Sequence, residues 1–224
     1  MTFTQGTVAD IIPQCQTGDC FHFWGRSELS EAIEDATGGG PSHVAMVRSA
    51  VGVKSAANVV TVESTQISKP KKFIGVVNLT LQTHIDEYSN PGPDQGGAIV
   101  YCPLRPSIRA KTNWVAWAAY ADNHVGDPYS YGQMVLEAYD AFMADHHIPI
   151  LGWLAKEFAA GNYHAEFCSQ LWCMYGQFGR YLGFDRVPGL TAPINSLQAA
   201  IYGPGVQILG PPLDKDYGYN TVAA

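Results

Sequence analysis

Charge is scarce in this sequence. Charged residues make up 15% of the 224-residue chain, against about 25% in an average domain, and those present leave a net charge of −7. An acidic surplus argues against general binding to nucleic acid or to anionic membranes. Cysteine is scarce too. Cys15, Cys20, Cys102, Cys168 and Cys173 are too few and too odd in number for a disulfide framework, which points to a reducing compartment. The phosphate-cradling loops G-x-G-x-x-G and Walker A are missing, as are the serine-hydrolase elbow G-x-S-x-G and any CxxC metal pair. Met1 to Gln14 has neither the basic start nor the apolar block of a secretory signal. The expectation is a chain without a leader, its compartment left open between the cytoplasm, a phage and export by another route. The longest uncharged stretch, Val187 to Leu213, contains five prolines and four glycines. It cannot run through lipid as a helix, so no membrane span is expected.

What is present is an apolar fraction of 46%, enough for a sizeable core in a chain of this length. No linker-like stretch divides the sequence, which reads as a single α+β domain over 1–224. Short aromatic and β-branched runs predict strands at Cys20–Trp24, Ser42–Arg48, Val59–Gln66, Lys72–Leu79, Ala98–Cys102 and Val206–Leu209. Ser27 is placed to N-cap a helix that ends at Gly38-Gly39-Gly40. Apolar spacing predicts a helix over Ser107–Asn123, with Ala110, Trp114, Trp117, Ala118 and Ala121 on one stripe. Further helices are expected at about 131–144, 151–160 and 166–181. If the loop between the second and third strands is centred on Val53, His43 falls opposite Glu63, about 5 Å away at Cβ.

Three residues stand out for their chemistry. Cys168 falls in the first turn of the last of these helices. There the helix dipole and the first-turn N–H groups favour a thiolate and can receive an oxyanion. On position alone the plainer reading, a buried core thiol, carries more weight. His43 competes with six other histidines, and Glu63 is a lone carboxylate in a β-branched strand. Together they supply a nucleophile, a base and an orienting carboxylate, the set that acyl transfer through a thioester requires. Asp145-His146-His147 reads as a loop rather than a metal site. Cys168 and Cys173 lie about 140° apart around a helix and share no metal face. No metal or organic cofactor is expected.

The order of short motifs adds a resemblance. Gly18-Asp19-Cys20-Phe21, then Ser42-His43-Val44-Ala45-Met46-Val47, then Val62-Glu63-Ser64, and finally Phe167-Cys168-Ser169-Gln170-Leu171 resembles the circularly permuted papain-like hydrolases. The nearest match is the YiiX-like group, relatives of the NlpC-type cell-wall peptidases. In that permuted branch the histidine precedes the cysteine, as here. Gly126-Asp127-Pro128-Tyr129-Ser130-Tyr131-Gly132 is similar to a stretch found in NlpC-type enzymes. Thr191-Ala192-Pro193-Ile194-Asn195-Ser196-Leu197 is similar to the segment that follows the cysteine in YiiX-like proteins.

The resemblance implies an antiparallel sheet packed against helices, with a core of about 17–210 and an insertion at about 135–163. It implies a cysteine peptidase or amidase in which Cys168 is the nucleophile, His43 the general base and acid, Glu63 the orienting group, and Tyr129 a residue of the oxyanion or substrate side. The substrate class it implies is an amide, such as a peptide or peptidoglycan stem. The alternatives are a lipid or other acyltransferase, a non-catalytic module of a larger assembly, and a thiol-dependent metal or redox protein. The partner expected is a small-molecule or peptide substrate.

Overall fold

The computed structural model describes residues 3–36, 39–50, 52, 55–67, 73–89, 97–128, 168, 176–177, 179–180 and 201–213. Its centre is a seven-stranded sheet of β1 (Thr4–Gln5), β2 (Cys20–Gly25), β3 (His43–Ala50), β4 (Val59–Ile67), β5 (Phe73–Thr80), β6 (Gly97–Cys102) and β7 (Val206–Leu209). The strand order is β1-β7-β6-β2-β3-β4-β5. Every pairing is antiparallel except the two-residue edge pair β1–β7, which is parallel. The α+β class and the six expected strands are present. The purely antiparallel sheet is corrected by β1, an edge strand that joins β7 rather than a hairpin partner.

Alternation along the strands builds two apolar layers. On one face Phe21, Phe23, Ala45, Val47, Val59, Ile99 and Tyr101 are buried. That face is covered by α1 (Val8–Ile11) and α3 (Leu81–Tyr88), which contribute Ile11 and Leu81. On the other face Cys20, Trp24, Val44, Met46, Val62, Ala98, Val100 and Cys102 form a second cluster with Trp117, Tyr120 and Ala121 of α5 (Trp114–His124) and with Cys168. The two aromatic-rich central strands β2 and β6 run opposite one another over six residues, from Cys20↔Cys102 to Gly25↔Gly97. Gly97 sits at φ +146°, and a Cβ there would lie 1.8 Å from the Trp24 carbonyl oxygen. Only glycine lets the two strands close at that point.

Ser27 caps α2 (Glu28–Ala36) as expected, its hydroxyl accepting the Ser30 N–H at 3.1 Å. The helix expected over Ser107–Asn123 is instead two: α4 (Pro106–Arg109) and α5. Asn113 is the reason. Its side chain accepts the Ala116 N–H at 3.1 Å and so starts a new helix, which costs the old one its continuity. The helices expected at 131–144 and 151–160 lie outside the described residues, as does most of 166–181.

Candidate active site

β3 and β4 do not pair in the expected register. The ladder runs from Met46↔Val62 and Val47↔Thr61, through a bulge at Arg48, to Ser49↔Val60 and Ala50↔Val59. The 3₁₀ turn Ala56–Asn58 lengthens the connection, which moves the centre of the hairpin beyond Val53 and slides the pairing by two residues. Extending the ladder sets Ala45 opposite Glu63, with His43 two residues along on the same face. That diagonal is within reach of long side chains. The register moved and the neighbours stayed. His43 Nε2 lies 2.5 Å from Glu63 Oε2.

His43 opens β3 and is held there from two sides. It pairs with Phe23 in β2. Ser42, just before it, donates its backbone N–H to the Phe23 carbonyl at 2.8 Å, while its hydroxyl accepts the Gly25 N–H at 3.0 Å. The β3–β4 ladder stops three residues short of His43, so the imidazole stands at the open end of that pair. There it also hydrogen-bonds the side chain of Cys168, which is helical and 5% exposed. With Nε2 on the carboxylate, Nδ1 is the nitrogen left for the thiol.

Glu63 is 1% exposed and His43 15% exposed. A carboxylate buried so deeply must have its oxygens satisfied, and both are. Oε2 takes His43. Oε1 accepts from the Thr61 hydroxyl at 2.9 Å and lies 2.7 Å from His84 Nε2. Burial alone would raise the Glu63 pKa. The charges and hydrogen bonds of His84 and His43 outweigh it and hold the carboxyl well below its usual range. Burial likewise pulls His43 down, but the charge and hydrogen bond of Cys168 and then those of Glu63 overcome it, and the imidazole is raised to about 10. At neutral pH this histidine keeps both ring protons, one facing the Glu63 carboxylate and one left for the side chain of Cys168.

Phe23 is the floor of the site. Its ring lies 5.4 Å from that of His43, 4.7 Å from that of His84 and 5.0 Å from that of Tyr88. The Tyr88 phenol is pushed well above its ordinary range, by burial first and then by the nearby carboxylates Glu87 and Glu63. Glu34, bonded to Ser42, is raised to about 7, chiefly by burial. The structure thus brings together Cys168, His43 and Glu63. Tyr129 lies outside the described residues. So do Asp145, His146, His147, the 135–163 segment and Thr191–Leu197. Of the Gly126–Gly132 motif, the first two residues lace onto β5: the Gly126 N–H reaches the Val76 carbonyl at 2.9 Å, and the Val76 N–H reaches the Asp127 carbonyl at 2.8 Å.

Sequence reasoning missed α3 and with it His84. Its signal was legible: Leu81, His84, Ile85 and Tyr88 fall at i, i+3, i+4 and i+7 behind the N-cap Thr80. A cavity of about 560 Å³ lies at the far end of β3 between Arg48, Arg109, Trp114 and Trp117. Its guanidinium groups are ion-paired with Asp122 and Asp19. Among the described residues no group of three or more His, Cys, Asp or Glu is arranged to hold a metal ion. No helix among them is long and apolar enough to cross a membrane.

No protein-family model matches the chain, and no curated protein does. Among solved structures it is similar to the crystal structure of the metalloprotein YiiX from Escherichia coli O157:H7, described as DUF1105. The match covers 88% of this chain and 90% of that one, at 16% identity and a TM-score of 0.43.

Proposed function

We propose that the chain is a cysteine hydrolase of the permuted papain-like kind that cleaves an amide through a thioester. The observation that carries this reading is the buried line Cys168–His43–Glu63, in which one imidazole bonds a thiol on one side and a carboxylate on the other. Cys168 Sγ attacks the substrate carbonyl carbon while backbone N–H groups close to the sulfur receive the oxyanion. As the C–N bond breaks, His43 hands its proton to the leaving amine. It then takes a proton from water, whose oxygen attacks the thioester, releases the carboxylic product and restores the thiolate. Glu63 fixes the ring and stabilises its charged form. By the same resemblance Tyr129 is assigned to the oxyanion or substrate side.

Acyl trapping tests the proposal. With p-nitrophenyl acetate and an amide panel as acyl donors, peptide mass spectrometry should find an adduct on Cys168 that neutral hydroxylamine removes. Cys168→Ala and His43→Ala should form none. Wild-type protein that acquires no such adduct and cleaves no donor contradicts the reading. Turnover of esters without amides moves the substrate class to acyl esters.

A further inference from the structure

Glu63 has two oxygens, and the mechanism above uses only one. The other faces a second imidazole on an element the catalytic reading does not involve. His84 projects from the first turns of α3 into the core, 2% exposed. Its Nε2 lies 2.7 Å from Glu63 Oε1 and 3.2 Å from the Thr61 hydroxyl, which itself donates to the same oxygen. A carboxylate oxygen can only accept, so Nε2 is the protonated nitrogen of His84. The ring is clamped by Phe23, the residue that also supports His43. The groups facing His84 are Glu63 and Thr61 of β4, His43 of β3 beyond the carboxylate, and Glu87 of its own helix, which feels the charges of His84, Glu63 and His43.

We infer that His84 is a positioning residue of this site, donating its Nε2–H to Glu63 Oε1 so that Oε2 is fixed toward His43. The inference rests on the acyl-transfer reading of Cys168, His43 and Glu63. Without His84 the buried carboxylate has one hydroxyl donor on Oε1, is free to turn about its last bond, and meets the cost of burial by taking up a proton. A neutral Glu63 no longer supports the His43 cation, and the thiolate partner of that cation is lost with it. His84 therefore reaches the sulfur through two intervening side chains. This also explains why a carboxylate so deeply buried stays ionised, since three donors converge on it from two strands and a helix.

The test is the pH profile of Cys168 alkylation by iodoacetamide, read on the Cys168 peptide, in wild type, His84→Phe, His84→Gln and His43→Ala. Phenylalanine keeps the ring volume against Phe23 and removes the donor. Glutamine restores an N–H at nearly the same reach. His84→Phe should slow alkylation at neutral pH by about tenfold or more and move the midpoint upward toward an ordinary thiol. His84→Gln should stay within about threefold of wild type. The inference is overturned if His84→Phe keeps the wild-type midpoint while His43→Ala loses the reactivity, or if glutamine and phenylalanine fall together. If His43→Ala itself changes nothing, it is the acyl-transfer reading that fails. Ring ¹⁵N and ¹H NMR of the wild-type protein needs no variant to fold. A deshielded, exchange-protected proton on His84 Nε2 supports the inference, and a bare Nε2 with its proton on Nδ1 overturns it.

Discussion

At the scale of single residues, the site is a problem in burying charge. Glu63 is almost fully covered, and such a carboxylate is tolerated only when donors converge on it. Replacing it with glutamine keeps the shape but leaves an amide NH₂ facing one of two imidazole donors. Glu63→Gln should therefore slow neutral-pH alkylation of Cys168 by about tenfold, because His43 loses an anionic neighbour that raises its proton affinity. Unchanged reactivity in a folded Glu63→Gln protein would show that the carboxylate is not part of the site. Cys168, His43 and Glu63 were legible in the sequence because their residue types and chain order carry the resemblance. His84 was not. A histidine inside a short amphipathic helix looks like any other core residue until the fold points its Nε2 at a strand 21 positions away.

At the scale of elements, β2 to β7 were readable because their β-branched, aromatic and apolar runs are short and bounded by turns. Two things were not. The first was register. A 3₁₀ turn and a bulge at Arg48 each alter the pairing of β3 with β4, and neither leaves a mark in a hydrophobic pattern. The second was the division between α4 and α5, where the capping preference of Asn113 prevailed over a continuous apolar stripe. Capping also governs α3, the helix that presents His84. The Thr80 hydroxyl accepts the Thr83 N–H at 3.2 Å, so Thr80→Ala should cost about 1 kcal/mol. That loss should appear as a lower urea midpoint at an unchanged m-value. A midpoint equal to wild type would mean that packing of Leu81 against the sheet holds the helix start unaided.

At the scale of the whole molecule, the sheet separates two apolar layers, and a titratable group sits in each. His43, Glu63 and His84 belong to the α3 side. His22, on β2, points to the other side, fully buried and 6.3 Å from the Tyr202 ring. Burial, and secondarily the His43 charge, lower its pKa to about 3. The unfolded chain binds this proton below about pH 6.5 and the folded one does not until about pH 3. His22 therefore costs nothing above pH 6.5, and stability is lost as the pH falls through that window, by up to about 1.4 kcal/mol per pH unit for one proton. The depressed carboxyl of Glu63 adds to the loss with the same sign below its ordinary value of about 4.5. The Tm of wild type should accordingly fall more steeply between pH 6.5 and 4 than that of His22→Leu. Parallel curves would remove His22 from the acid response. This placement was unreadable in the chain, since strand alternation assigns faces only once the neighbouring strands are known.

The central claim is that His43 makes Cys168 a nucleophile, and the alkylation rate of each cysteine as a function of pH tests it most directly. Cys168 should react faster than Cys15, Cys20, Cys102 and Cys173 at and just below neutral pH, and His43→Ala should abolish the difference. A Cys168 that titrates like an isolated thiol, with the same profile in His43→Ala, would contradict it.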